Sequence, residues 1–117
     1  MHFPAICASC ERLCEHEGIK PDELYVWIDY SSIPQLNTHT KRMSIGSLAV
    51  YSSVCKYFVC VAPSTEGHAA RIFDESSYSK RGWCRLEQGA RMTVGGLDGM
   101  FVYGTSGTLE NLNSTPW

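Results

Sequence analysis

Two short runs in this chain, Tyr25-Val26-Trp27-Ile28-Asp29-Tyr30 and Tyr57-Phe58-Val59-Cys60-Val61-Ala62, are rich in β-branched and aromatic residues and almost continuously apolar. A strand with one wet face alternates polar and apolar side chains. A run without alternation predicts a strand covered on both faces, as in a parallel sheet. A shorter run of the same kind, Met100-Phe101-Val102-Tyr103, follows near the end. Between the first two runs, Ile45, Leu48, Ala49, Ser52 and Cys55 recur at helical spacing, which predicts a helix from about Lys41 to Cys55. Between the second and third, Trp83, Leu86 and Ala90 mark the apolar side of a helix from Gly82 to about Thr93. Strands that alternate with helices in this way predict an α/β fold: a short parallel sheet, right-handed crossovers and helices on both faces.

The punctuation agrees with that order. Residues 5–17 carry good helix formers, Gly18 stands where a C-cap glycine belongs, and Pro21 follows. The first apolar run ends at Ser31-Ser32-Ile33-Pro34, since proline cannot continue a central strand. Gln35 to about Thr40 reads as polar loop. Gly46, inside the second helix, is costly there and predicts a closely approaching backbone. Pro63 to Lys80 is a polar loop, long for a compact domain, and such loops are functional or poorly ordered. Gly95-Gly96 breaks the last helix. We therefore expect one domain over residues 1–104 and a flexible tail over 105–117, where Gly, Ser, Thr and Asn dominate.

At 117 residues the chain has room for a single modest core. Ten basic against twelve acidic residues give a net charge of -2 with no basic block, so no nucleic-acid partner is expected. No apolar run approaches the roughly 20 residues that span a bilayer. The opening Met1-His2-Phe3-Pro4 lacks the basic flank of a secretory signal, so the expected location is cytoplasmic, with no membrane partner. Six cysteines, at 7, 10, 14, 55, 60 and 84, are then expected as reduced thiols. Cys7, Cys10, Cys14 and His16 have the residue types of a zinc set. On a helix, however, the cysteines fall at about 0°, 300° and 340° and His16 at about 180°. One helix cannot offer all four ligands to one ion. No metal is expected, and the cysteine stripe is read as core packing.

In an open parallel sheet, ligands bind at the carboxyl ends of the strands. Asp29, Ser31 and Ser32 lie at the end of the first apolar run. Asp29 has two readings there, an acid/base or hydrogen-bonding group and an ordinary turn contact. In Lys80-Arg81-Gly82-Trp83-Cys84-Arg85-Leu86-Glu87-Gln88, Trp83 and Leu86 are expected to anchor the helix, with Cys84 and Glu87 on the adjacent face. Glu87 also has two readings. It can stabilise a cationic intermediate, as carboxylates do at glycosidic bonds. It can equally form a surface ion pair with Arg91 at i+4, worth a few tenths of a kcal/mol. A Cys–His pair of Cys84 with His39 or His68 has nothing in the sequence to bring it together. There is no phosphate-binding G-x-x-x-x-G-K-[ST], no G-x-G-x-x-G after a strand, no G-x-S-x-G and no H-E-x-x-H.

Val26 to Gln35 resembles the W-I-D-x-x-x-I-x-Q block of fungal heterokaryon-incompatibility (HET) domains. Ile45 to Ala62, with Val50-Tyr51 before Cys55, resembles the helix and strand that follow it. Arg81-Gly82-Trp83-Cys84-Arg85-Leu86-Glu87 resembles both the R-G-W-x-x-x-E element of HET domains and the W-C-x-x-E element of Toll/interleukin receptor (TIR) domains. The resemblance covers about Leu24 to Gln88. It implies a flavodoxin-like α/β fold and a place in innate-immune or self/non-self signal transduction, through association with other TIR/HET-like or signalling domains or with itself. In NAD-cleaving members the glutamate of W-C-x-x-E is catalytic, which corresponds here to Glu87. Asp29, Ser31, Ser32, Trp83 and Cys84 would then line a pocket for NAD as substrate. TIR domains open with a strand that helps hold the nucleotide, and this chain begins at the helix after it, so a fragment or reduced member is expected. The HET block usually has cysteine before its second isoleucine, where this chain has Ser32. The sequence-based expectation is an association module. An NAD glycohydrolase is the rival reading, and a structural domain of a larger protein is the third.

Overall fold

The first helix, α1 (Phe3–Glu17), ends as its sequence says it should. Gly18 takes a φ of 66°, open to glycine at little cost, and the Ile19 amide reaches back to the Cys14 carbonyl at 3.0 Å. That is a Schellman closure, and it satisfies a carbonyl the helix would otherwise leave open. The computed structural model describes residues 3–63, 65–66, 72–73, 82–104 and 106–113, with backbone alone for 30, 65, 66, 72, 73 and 82–84. After a 3₁₀ turn at Pro21–Glu23, the chain forms α2 (Asp29–Ser32), α3 (Thr38–Gly46), α4 (Leu48–Val54), β1 (Phe58–Val61), β2 (Thr65–Glu66), β3 (Ile72–Phe73), α5 (Gly82–Gly95), β4 (Met100–Tyr103) and β5 (Leu109–Asn111).

The protein is a small mixed α/β fold built on a three-stranded mixed sheet in the order β1-β4-β5. β1 and β4 are parallel, with Phe58 opposite Met100 and Val61 opposite Tyr103. β5 is antiparallel to the other side of β4. Two of the three expected strands are therefore present, joined by a crossover that contains α5. The central strand β4 is buried at every residue, as its lack of alternation requires. Met100 and Val102 pack with Cys60 and Leu112 on one face, toward α5, whose Gln88 amide donates to the Cys60 thiol at 3.2 Å. Phe101 points to the opposite face, where the His16 ring of α1 meets it edge-on at 5.3 Å. β2 and β3 form a separate antiparallel pair inside the segment read as loop.

Four expectations need correction. The run Tyr25–Tyr30 is not a strand. Leu24 and Ile28 keep extended dihedrals, but the segment has no ladder partner among the described residues, and Tyr25 is 93% and Val26 53% exposed. From Asp29 the chain turns helical instead. A carboxylate in a helix's first turn is favoured by the backbone dipoles, and Pro34 returns Ile33 to an extended conformation (φ −92°, ψ 123°). The expected helix from Lys41 to Cys55 begins earlier and is broken in two. Asn37 caps α3 by accepting from the His39 and Thr40 amides at 3.0 and 3.1 Å, and the break lies at Ser47. A Cβ on Gly46 would meet nothing within 4 Å, so no close backbone accounts for that glycine. The tail expected to be flexible over 105–117 instead supplies β5, and Leu112 enters the core.

The cysteine stripe of α1 is graded rather than uniformly packed. Cys14 is buried, Cys10 half-buried and Cys7 exposed, and these three together with Cys55 and Cys60 are free thiols. Burial pushes the Cys10 thiol above its ordinary pKa, which makes it less reactive. Among the described residues no group of three His, Cys, Asp or Glu side chains could hold a metal ion. No described helix is long and apolar enough to cross a membrane.

Candidate functional site

The site is built from the first half of α5 and the start of α2. Gln88 is level with Cys60, the third residue of β1, while Arg91 reaches the Lys56 carbonyl just before that strand. α5 therefore runs against the direction of β1. Its earlier residues, Glu87 among them, lie away from the amino end of the strand and toward the carboxyl end. Ligands gather at that end in parallel sheets.

Glu87 is half-buried on this helix. Its pKa is raised to about 7, first by burial, which penalises the charged form, and second by the charge of Asp29. Asp29, the first residue of α2, is exposed. The two carboxyl groups singled out from sequence are thus coupled electrostatically across the fold. The competing i+4 ion pair with Arg91 does not form. Arg91 Nη2 donates instead to the Lys56 and Asp98 carbonyls at 3.0 and 2.8 Å. Two carboxyl groups in unequal environments are a recurrent acid/base arrangement.

No family model, no curated protein and no solved structure matches the chain.

Ser31 and Ser32 share α2 with Asp29 and are exposed. Trp83 and Cys84 lie in the first turn of α5, and their side chains fall outside the described residues; so does His68, the possible partner of Cys84. His39 is exposed on α3. Two features were missed from sequence. The Trp27 ring lies against Tyr51 of α4, centroids 5.2 Å apart and tilted by 33°. Both belong to blocks that carry the resemblance, but nothing in their spacing pairs them. Arg91 is the second. It is 7% exposed, with Nε lacking a hydrogen-bond partner among the described residues, and its sequence position at i+4 from Glu87 pointed to a surface ion pair instead.

The contact between Trp27 and Tyr51 also arranges the surface. It joins the chain just after Tyr25 and Val26 to α4, on which Val50 and Val54 are exposed and Tyr51 is at the border of exposure. Tyr25, Val26, Val50 and Val54 are all exposed. On α5 the outward positions include Met92 and also Leu86, which is 49% exposed and so is not the helix anchor expected from sequence.

Proposed function

We propose that this chain is a TIR/HET-like module of flavodoxin-like type, working in signalling or defence by associating with other TIR/HET-like or signalling domains or with itself. One observation carries the reading: Val50 and Val54 are exposed one turn apart on α4, the helix to which the Trp27–Tyr51 contact joins the chain just after the exposed Tyr25 and Val26. Soluble monomers rarely leave neighbouring large apolar side chains open to water, and such surfaces mark places of association. Asp29, Ser31 and Ser32 are exposed as well, so they offer a surface rather than an enclosure, and a small ligand needs most of its own surface covered. The test is sedimentation over a range of protein concentrations. Self-association that is lost in Val50→Asp and Val54→Asp, with circular dichroism unchanged, supports the reading. A chain monomeric throughout removes its self-association arm.

The coupling of Glu87 to Asp29 favours a second reading, cleavage of NAD at the nicotinamide–ribose bond. Breaking that bond develops positive charge on the ribose carbon, and an adjacent carboxylate lowers the barrier by stabilising it. A cationic nicotinamide ring beside Glu87 would favour the ionised form and draw the pKa back down. Substrate binding would therefore release the proton that burial holds in place. Asp29, Ser31, Ser32, Trp83 and Cys84 are the residues proposed to line the site, and Glu87 is its catalytic carboxylate. Incubation with NAD and measurement of released nicotinamide tests this directly. Little or no turnover is expected from this chain. Robust release that disappears in Glu87→Gln would place the enzyme reading first.

A further inference from the structure

A buried guanidinium ordinarily faces a carboxylate, because an uncompensated charge is expensive to remove from water. Arg91 departs from that pattern. Nη2 binds two backbone carbonyls, Lys56 before β1 and Asp98 before β4, while the buried Nε has no hydrogen-bond partner among the described residues. The chain makes room for this placement. A Cβ on Gly95 would collide with Nη1, and one on Gly99 would press on Nη2 at 3.3 Å. Arg91 thus fastens one side of α5 to the amino ends of both parallel strands. Glu87 is one turn earlier on the same helix, so rotation of α5 about its axis would swing the Glu87 side chain as well.

We propose that Arg91 is a positioning residue: by holding the Lys56 and Asp98 carbonyls it fixes the rotation of α5 and keeps the Glu87 side chain in its half-buried place. The inference rests on the carboxyl pair of the second reading above. Among the described residues, α4, β1 and β4 bring no competing charge, since they contain no Asp, Glu, Lys, Arg or His. Among the described residues, Asp29 is the charge that bears on Glu87. Arg91 is spent on carbonyls and does not neutralise the pair.

The experiment is a carbon-13 NMR titration of the Glu87 carboxyl in the full chain and three variants. In the parent, the midpoint is expected near 7. Arg91→Lys should retain it, because a single nitrogen makes both bonds and an ammonium can replace it. Arg91→Gln and Gly95→Ala should lower it by about 1–2 units, as Glu87 turns into water. Gly95→Ala retains the positive charge and places the best helix former in a helix, so it tests position with the fold kept. A midpoint that stays put, or rises, in both variants overturns the positioning role while leaving the carboxyl pair intact. An ordinary carboxyl midpoint in the parent overturns the carboxyl pair, and the proposal with it.

Discussion

β1 and the Tyr25–Ile28 segment are made from the same kinds of residue, yet one is paired into the sheet and the other opens to water at its start. In β1, Cys60 is sealed between β4 and α5, and the strand is hydrogen-bonded along its length to Met100–Tyr103. In Tyr25–Ile28 the backbone is extended at both ends, but no described strand lies beside it, and Tyr25 projects into water. The difference lies in the neighbours. An apolar run dictates extended backbone through its β-branched and aromatic side chains. It becomes a buried strand only where another strand takes its amides and a helix covers its face.

Truncation of the two regions gives the largest expected contrast. Phe101→Ala removes a side chain that is 1% exposed and touches His16 and Tyr57, and should cost about 3–5 kcal/mol. Tyr25→Ser should change stability by no more than about 0.5 kcal/mol. Urea denaturation of both variants makes the comparison. A Tyr25 variant as damaged as the Phe101 variant would show that the first run is a buried strand after all.

Next in size is Gly99→Ala, at the entry to β4. Gly99 has φ 70°, and an added Cβ would lie 2.6 Å from the Lys56 carbonyl oxygen. That oxygen is also an Arg91 acceptor, so it has little freedom to retreat. The expected loss is about 1–3 kcal/mol. The same substitution at Gly46, which has open space around it, should be neutral or slightly stabilising. Thermal melts of the two variants would separate a glycine required by its surroundings from one that is not.

These positions also show what sequence could and could not convey. β4 was legible because four apolar residues between glycine-rich turns have few other uses. α1 was legible because Gly18 and Pro21 mark its end. The α3 cap at Asn37 was written in the sequence and passed over, since Asn before Thr is also an ordinary loop pattern. β5 was not legible: Leu109-Glu110-Asn111 has neither the length nor the β-branching to announce a strand, and only the open edge of β4 makes it one. At the site, residue types were sufficient to name Asp29 and Glu87. Their electrostatic coupling was not derivable, because it joins α2 to α5 through the tertiary fold, whereas the partner that helical spacing offers Glu87, Arg91, is bound to backbone carbonyls.

The carboxyl pair has a signature in stability against pH. Glu87 has a folded pKa of about 7 against an ordinary 4.5, so its neutral form is the one the fold prefers. Below the ordinary value both folded and unfolded chains hold the proton and the group costs nothing. As pH rises toward 7 the unfolded chain loses the proton first, and stability falls; above that the loss is complete. Allowing for partial exposure, the parent should lose about 1–2 kcal/mol relative to Glu87→Gln between pH 4.5 and 8. Parallel pH–stability curves for parent and variant would show that Glu87 titrates as an ordinary exposed carboxylate.

The smallest expected effect sharpens the comparison most finely, because it asks whether the exposed run is held at all. Trp27 is half-buried while Tyr25 and Val26 are exposed, and its ring contact with Tyr51 is what fastens the segment to α4. A tilted aromatic pair contributes about 0.5–1.5 kcal/mol beyond the area it buries, and the partial exposure of Tyr51 points to the lower half of that range. In a double-mutant cycle of Trp27→Ala and Tyr51→Ala, a coupling of about 0.5–1 kcal/mol is expected. The single variants should also loosen Tyr25 and Val26, read as faster amide exchange there and unchanged exchange in β1 and β4. Zero coupling would mean that the two rings merely lie near each other. The apolar surface proposed for association would then lack its hinge, because the chain just after Tyr25 and Val26 would no longer be joined to α4.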